Sequence, residues 1–251
     1  MKQLLVISCL AVLALFGQAQ SPASLMDEGK KLEQRMKDGE ALEKYKQVLV
    51  IQPNHQKAQL KVAELLTAMG NREANPAGKA IRYREALMHA REGWLVDSAD
   101  AEANYVMAMV YGKITEVEEK REALVDAVRQ VKRFADKAVA ADAGFGKGWH
   151  VLGKWHYEVV TLNGVKKAAL KLLFGGLPPA SMDSAIAYME KCRSLEPYYT
   201  ANFYDLGKAY QHSKKYAEAI GVLEQLAKLP SRRQADVEIK AEGAKLLQQL
   251  Q

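Results

Sequence analysis

Histidine and cysteine are the side chains in this sequence best suited to metal binding or nucleophilic chemistry, and their spacing argues against both. His150 and His156 are six residues apart, which puts them on different sides of a helix, whereas a metal-binding pair needs a spacing of three or four. Cys192 occupies a packing position with no base beside it, as is typical of a buried structural thiol. The sequence also has no glycine-rich phosphate loop. We therefore expect a protein that is not an enzyme, with no cofactor and no metal ion.

A second set of polar and aromatic side chains recurs in three helical segments that begin near residues 101, 146 and 200. Positions two, five, nine and twelve of such a segment share one side of a helix. These positions predict a ligand groove lined by Tyr105, Met109, His150, Lys154, Tyr157, Tyr204, Lys208 and Gln211. Aromatic rings interleaved with lysines suit an extended peptide, or an anionic head group with an apolar tail. The alternative is that these are ordinary surface residues.

The repeat unit that defines those positions is clearest in residues 200–230, which contain two helices joined by a tight turn. The segment carries large apolar, small and aromatic residues in a fixed order and closes with a proline: Phe203, Leu206, Gly207, Tyr210, Tyr216, Ala219, Leu223, Leu226 and Pro230. This order resembles the tetratricopeptide repeat (TPR). One such unit cannot bury its own apolar face, so copies must stack. Small residues are needed where helices cross closely, as at Gly153, Ala185, Gly207 and Ala219.

Similar segments along the chain predict an all-α fold, a TPR-like right-handed α-solenoid of about five helix-turn-helix repeats with a C-terminal capping helix. We place this domain at residues 20–251, with repeats near 22–55, 56–97, 101–142, 146–197 and 200–231 and the capping helix at 232–250. Lys37-Asp38-Gly39 is predicted to form the first turn. Lengthened helices are expected to absorb the eleven extra residues of the third repeat.

The fourth repeat contains an insertion, roughly residues 161–181. Its apolar residues lie on one stripe, with two lysines away from it, so a short amphipathic helix is expected. Such a helix could contact a lipid or a membrane surface through Val165, Leu172 and Phe174. The alternative is that it folds back and plugs the groove.

Residues 1–19 resemble a secretory signal peptide, with a basic start at Lys2, an apolar run and small residues before a cleavage site near Ala19. We expect export, most simply to a bacterial periplasm. A retained anchor and a lipidated Cys9 remain as alternatives. The formal net charge is only +6 and the charges alternate in sign, so we expect a solvated helical surface and no nucleic acid partner.

A closer resemblance covers residues 148–229. This region resembles the regulator of microtubule dynamics family, a eukaryotic set of repeat proteins with bacterial relatives. The match is carried by residues 149–157 (WHVLGKWHY), 169–174 (ALKLLF), 177–181 (LPPAS), 185–188 (AIAY) and 206–210 (LGKAY). The resemblance implies the repeat fold and, for some members, lipid binding and contacts at microtubules and organelle surfaces. This chain departs from the eukaryotic members by its export signal, which puts a microtubule partner in doubt.

The sequence therefore predicts a non-enzymatic scaffold or adaptor that binds a protein or peptide on the concave face of its superhelix. The alternative is a carrier of a lipid or another amphipathic small molecule, held in the groove and gated by the insertion at 161–181.

Overall fold

A computed structural model describes residues 20–164, 168 and 175–251. These residues contain eleven α-helices and no β-strand. In chain order the helices are α1 (Pro22–Gln34), α2 (Asp38–Ile51), α3 (Gln56–Arg72), α4 (Pro76–Val96), α5 (Ala101–Ile114), α6 (Arg121–Ala141), α7 (Gly146–Thr161), α8 (Met182–Leu195), α9 (Thr200–His212), α10 (Tyr216–Lys228) and α11 (Gln234–Leu250).

The first ten helices pack as five consecutive pairs, and α11 covers the last pair by contacting both α9 and α10. Neighbouring pairs contact one another along the chain, because one pair cannot bury its apolar face alone. The predicted all-α, TPR-like solenoid with a C-terminal capping helix is confirmed.

Small residues let the paired helices approach closely. A Cβ atom on Gly153 in α7 would lie 2.9 Å from the backbone oxygen of Ala185 in α8. A Cβ on Gly207 in α9 would lie 2.8 Å from the side chain of Leu223 in α10. Ala185 and Ala219 are completely buried. The apolar core is continuous through α2 to α7, and a second cluster joins α8 to α11.

Two local expectations differ from the structure. Asp38 and Gly39 belong to α2, and the first turn lies at residues 35–37, where Met36 takes a positive φ of 59°. In the third repeat, a six-residue link at 115–120 as well as the 21-residue helix α6 takes up the extra length.

The described end of the insertion, residues 175–181, lies against α6 and α7. The carbonyl of Gly176 accepts a hydrogen bond from Arg129 at 3.1 Å, and the backbone N–H of Ser181 donates to His156 Nδ1 at 3.2 Å. The predicted signal peptide at 1–19 and the lipid-contacting residues Val165, Leu172 and Phe174 lie outside the described residues. Within the described part of the chain, no helix has the length and apolarity required to cross a bilayer.

Candidate functional site: the concave groove

The first helices of successive repeats line one face of the solenoid, with α3 against α5, α5 against α7 and α7 against α9. In stacked helix pairs this face is the concave one, where ligands usually bind. The predicted groove residues lie on α5, α7 and α9.

A buried carboxylate joins α7 to α9 in this groove. Asp205 Oδ2 lies 3.0 Å from His150 Nε2 and 3.1 Å from Lys154 Nζ, and its Oδ1 accepts a hydrogen bond from Lys208 Nζ at 2.9 Å. The side chains of Asp205 and His150 are each 6% exposed, whereas that of Lys154 is 41% exposed. We call these four residues the lysine cluster.

The charges within the lysine cluster stabilise one another. Burial alone would raise the pKa of Asp205, but Lys154, the hydrogen bond from His150 and Lys208 together hold that pKa well below its usual value. The negative charge of Asp205 in turn raises the pKa of Lys154 despite desolvation. Burial lowers the pKa of His150, which keeps its ring neutral near pH 7. Within the lysine cluster two ammonium groups share one carboxylate, which leaves one positive charge. The exposed Glu158 nearby offsets part of that charge and raises the pKa of both lysines.

Aromatic rings hold the second lysine in place. Lys208 Nζ lies 5.1 Å from the ring centroid of Tyr157 and 5.1 Å from that of Tyr204. A cation over two ring faces is attracted by both and loses side-chain freedom. The ammonium groups are consequently positioned before any ligand arrives.

Tyr199, in the turn before α9, covers the centre of the groove. Its Oη lies 3.5 Å from Tyr105 Oη on α5, and its ring packs edge-on against His150 with the centroids 5.1 Å apart. The guanidinium of Arg233, just before α11, lies over the Tyr199 ring at 5.3 Å. These contacts join the third repeat directly to the last repeat and the cap.

A second charged group occupies the N-terminal half of the groove. Glu64 on α3 accepts a hydrogen bond from Lys61 Nζ at 3.0 Å. Burial would raise the pKa of Glu64, but the positive charges of Lys61, Lys147 and Arg233 outweigh it and lower that pKa. Glu102 has a raised pKa because of burial and because it faces the negative charge of Glu64. The groove thus carries charges of both signs along its length.

The eight predicted groove residues differ in their access to solvent. Tyr105 is 3% exposed and His150 is 5% exposed, because Tyr199 packs over both. Met109 is half-buried, and its sulfur accepts a hydrogen bond from Tyr105 Oη at 3.8 Å. The other five keep part of their side chains accessible: Lys154, Tyr157, Tyr204, Lys208 and Gln211.

The helical positions used in the sequence analysis did not predict several residues that lie in the groove. The same position rule, applied to the second repeat, would have found Glu64 at position nine, and position two would have found Glu102 and Lys147. Asp205 stands at position six, outside the rule. Tyr199, like Arg233, precedes a helix, so helical spacing gives no signal for it. No group of three histidine, cysteine or carboxylate side chains that could hold a metal occurs among residues 20–164, 168 and 175–251.

Comparison with known proteins agrees with the resemblance drawn from residues 148–229. A model of the family described as regulator of microtubule dynamics protein 1-3 matches residues 25–251. The chain belongs to the regulator of microtubule dynamics family. Regulator of microtubule dynamics protein 1 of Bos taurus is 25% identical over 166 residues, 65% of this chain and 51% of that protein. The Mus musculus protein of the same name is 23% identical over 170 residues, 67% of this chain and 55% of that protein. This family member spans about half the length of those relatives.

Solved structures agree with the fold of this regulator of microtubule dynamics family member. A thermophilic TPR protein of Thermus thermophilus has a TM-score of 0.64 at 16% identity, covering 91% of this chain and all of that one. The Pseudomonas aeruginosa pilF structure has a TM-score of 0.52 at 14% identity, covering 90% of this chain and 84% of that one. At such identities the likeness establishes a shared fold.

Proposed function

We propose that this protein is a non-catalytic scaffold whose concave groove binds an extended peptide segment of a partner protein. The observation that carries the proposal is the lysine cluster. Two ammonium groups, preset by one carboxylate and two tyrosine rings, carry an excess positive charge, and Lys154 is accessible to solvent. An acidic side chain of the partner would complete this arrangement with charge-assisted hydrogen bonds.

The rest of the groove also favours a peptide over a lipid. Glu64, Lys61 and Lys147 lie farther along the same face, and an apolar tail laid over them would take charges out of water without pairing them. A peptide backbone can instead supply hydrogen-bond partners along the whole groove. We infer a ligand with acidic residues toward the C-terminal repeats, where the lysine cluster lies.

Charge substitutions in the lysine cluster test the proposal. The probe is a fluorescent Asp- and Glu-rich peptide, compared with a Lys-rich peptide of equal length. Lys154→Glu or Lys208→Glu should each weaken binding of the acidic peptide about 10-fold or more, since a hydrogen bond to a charged group contributes about 1.5–3 kcal/mol. The matched control is Lys132→Glu, which removes a lysine that pairs with Asp136 at 2.7 Å on α6. Equal affinity in the wild type, both single variants and the double variant would reject the groove as the peptide site.

Native mass spectrometry of the gently purified protein distinguishes the lipid-carrier alternative, gated by the insertion at 161–181. A discrete added mass that organic solvent releases would favour a lipid, and a co-purified polypeptide would favour the scaffold. We also propose that the protein is exported. Export would keep it away from the microtubules that the names of its relatives mention. Recovery of the tagged protein in the cytoplasmic fraction would contradict export.

A further inference from the structure

Helix α4 exposes a row of large apolar side chains along its outer face. Ile81 is 64% exposed, Met88 is 67% exposed and Leu95 is 57% exposed. The three residues are spaced by seven, so they lie almost in line along about 21 Å of helix. The opposite face of α4 is already used, because Tyr83, Ala86, Ala90 and Gly93 are buried. Helix α4 therefore has a second apolar face that nothing in the described part of the chain covers.

Charged residues border this row in an ordered way. Arg84 and Arg91 lie about 50° to one side of it, and Glu85 and Glu92 lie about 50° to the other side. Glu85 pairs with Lys46 of α2 at 3.0 Å. Arg84, Arg91 and Glu92 are exposed and form no ion pair with any residue that the structure describes. One flank of the row is thus positive and the other is negative.

We propose that two copies of this chain associate through α4, with the two helices parallel about a twofold axis. A twofold axis along the helices brings the positive flank of each copy against the negative flank of the other. Arg91 then faces Glu92 of the second copy, and Ile81, Met88 and Leu95 each meet their own counterparts. An antiparallel pair would place like flanks together, arginines against arginines and glutamates against glutamates. The charge pattern therefore selects both a second copy as the occupant and the parallel orientation.

The same pattern argues against a membrane as the occupant. Helices that bind anionic lipids have a basic rim, whereas the four charges beside this row cancel. Three apolar side chains per copy cover less than the roughly 800 Å² per partner of a standard interface. The dimer should accordingly be weak and reversible, forming in the micromolar range.

Sedimentation equilibrium over a range of concentrations tests the interface. The wild type should show a monomer–dimer equilibrium, and Met88→Glu should shift it to monomer. Val237→Glu is the matched control, because Val237 is an exposed apolar residue on α11, away from α4, and should not affect association. Circular dichroism confirms that both variants keep the fold. A wild-type monomer throughout the micromolar range, or a dimer that Met88→Glu leaves intact, would overturn the proposal.

Charge exchange and crosslinking test the orientation. Arg91→Glu alone and Glu92→Arg alone should each weaken the dimer, and the two together should restore it. In a Cys9→Ser background, Ile81→Cys alone and Leu95→Cys alone should each give a disulfide dimer under mild oxidation; native Cys192 is fully buried and does not compete. A disulfide that forms only when the Ile81→Cys and Leu95→Cys proteins are mixed would mean antiparallel helices and would refute the parallel arrangement.

Discussion

Among the glycines that the structure describes, Gly153 is the one whose added Cβ would come closest to the backbone of another helix, so Gly153→Ala should destabilise the protein although alanine favours helices. The new Cβ would lie 2.7 Å from Met189 Cγ, 2.9 Å from the backbone oxygen of Ala185 and 3.2 Å from the backbone nitrogen of Met189. A side chain could rotate away, but backbone atoms within α8 are fixed by their helical hydrogen bonds. Helices α7 and α8 would have to separate.

The magnitude follows from two opposing contributions. Replacing a helical glycine by alanine gains about 1 kcal/mol of helix propensity. Overpacking costs about 1–3 kcal/mol, and contact with backbone puts this site near the upper end. We expect a net loss of about 2 kcal/mol and a fall in Tm of about 4–8 °C for a domain of this size. Gly221 in α10 is the matched control, because a Cβ there meets no atom within 4 Å and Gly221→Ala keeps the propensity gain.

Thermal unfolding followed by far-UV circular dichroism measures both variants against the wild type. Gly153→Ala should have a lower Tm than the wild type, and Gly221→Ala should have the same Tm or a higher one. If both substitutions raised Tm by similar amounts, the close approach of α7 and α8 would carry no energetic cost and the packing argument would fail.

Two further predictions concern titration and reactivity. His89, His150 and His156 have pKa values lowered chiefly by burial, so below about pH 6.5 the unfolded chain binds more protons than the folded one. Tm should fall as the pH is lowered from about 7 to about 5, although the raised pKa of Glu102 opposes part of the loss; a constant Tm would contradict this. Burial raises the pKa of Cys192 to about 12, so a thiol reagent should modify it only as fast as the protein unfolds, and rapid labelling of the native protein would count against a buried thiol.

Repeat periodicity was enough to predict the stacked helix pairs but not the first turn. The sequence placed that turn at residues 37–39 because Gly39 tolerates any φ, yet Met36 takes the positive φ and α2 begins at Asp38. Asp38 is only 7% exposed and accepts a hydrogen bond from Arg72 of the next repeat at 2.7 Å. A contact between repeats therefore fixes the start of α2, and local residue preferences do not contain it.

Only part of the groove was predicted, again because contacts between repeats leave no mark on local spacing. Helical spacing identifies Lys154 and Lys208 because each shares a helix face with aromatic neighbours. It misses Asp205, whose role depends on side chains from α7 as well as α9. It also misses Tyr199 and Arg233, which reach the groove from the turns before α9 and α11. The role of a residue that contacts other repeats can be recognised only once the arrangement of the repeats is known.

The contact of Tyr199 with Tyr105, with Arg233 lying over the Tyr199 ring, connects parts of the chain that are not neighbours in the stack. A solenoid in which only adjacent repeats contact one another can extend elastically and can unfold from either end. Here Tyr199 and Arg233 link the last repeat and the cap to the third repeat across the open face. The repeats between α5 and α11 should therefore resist extension together.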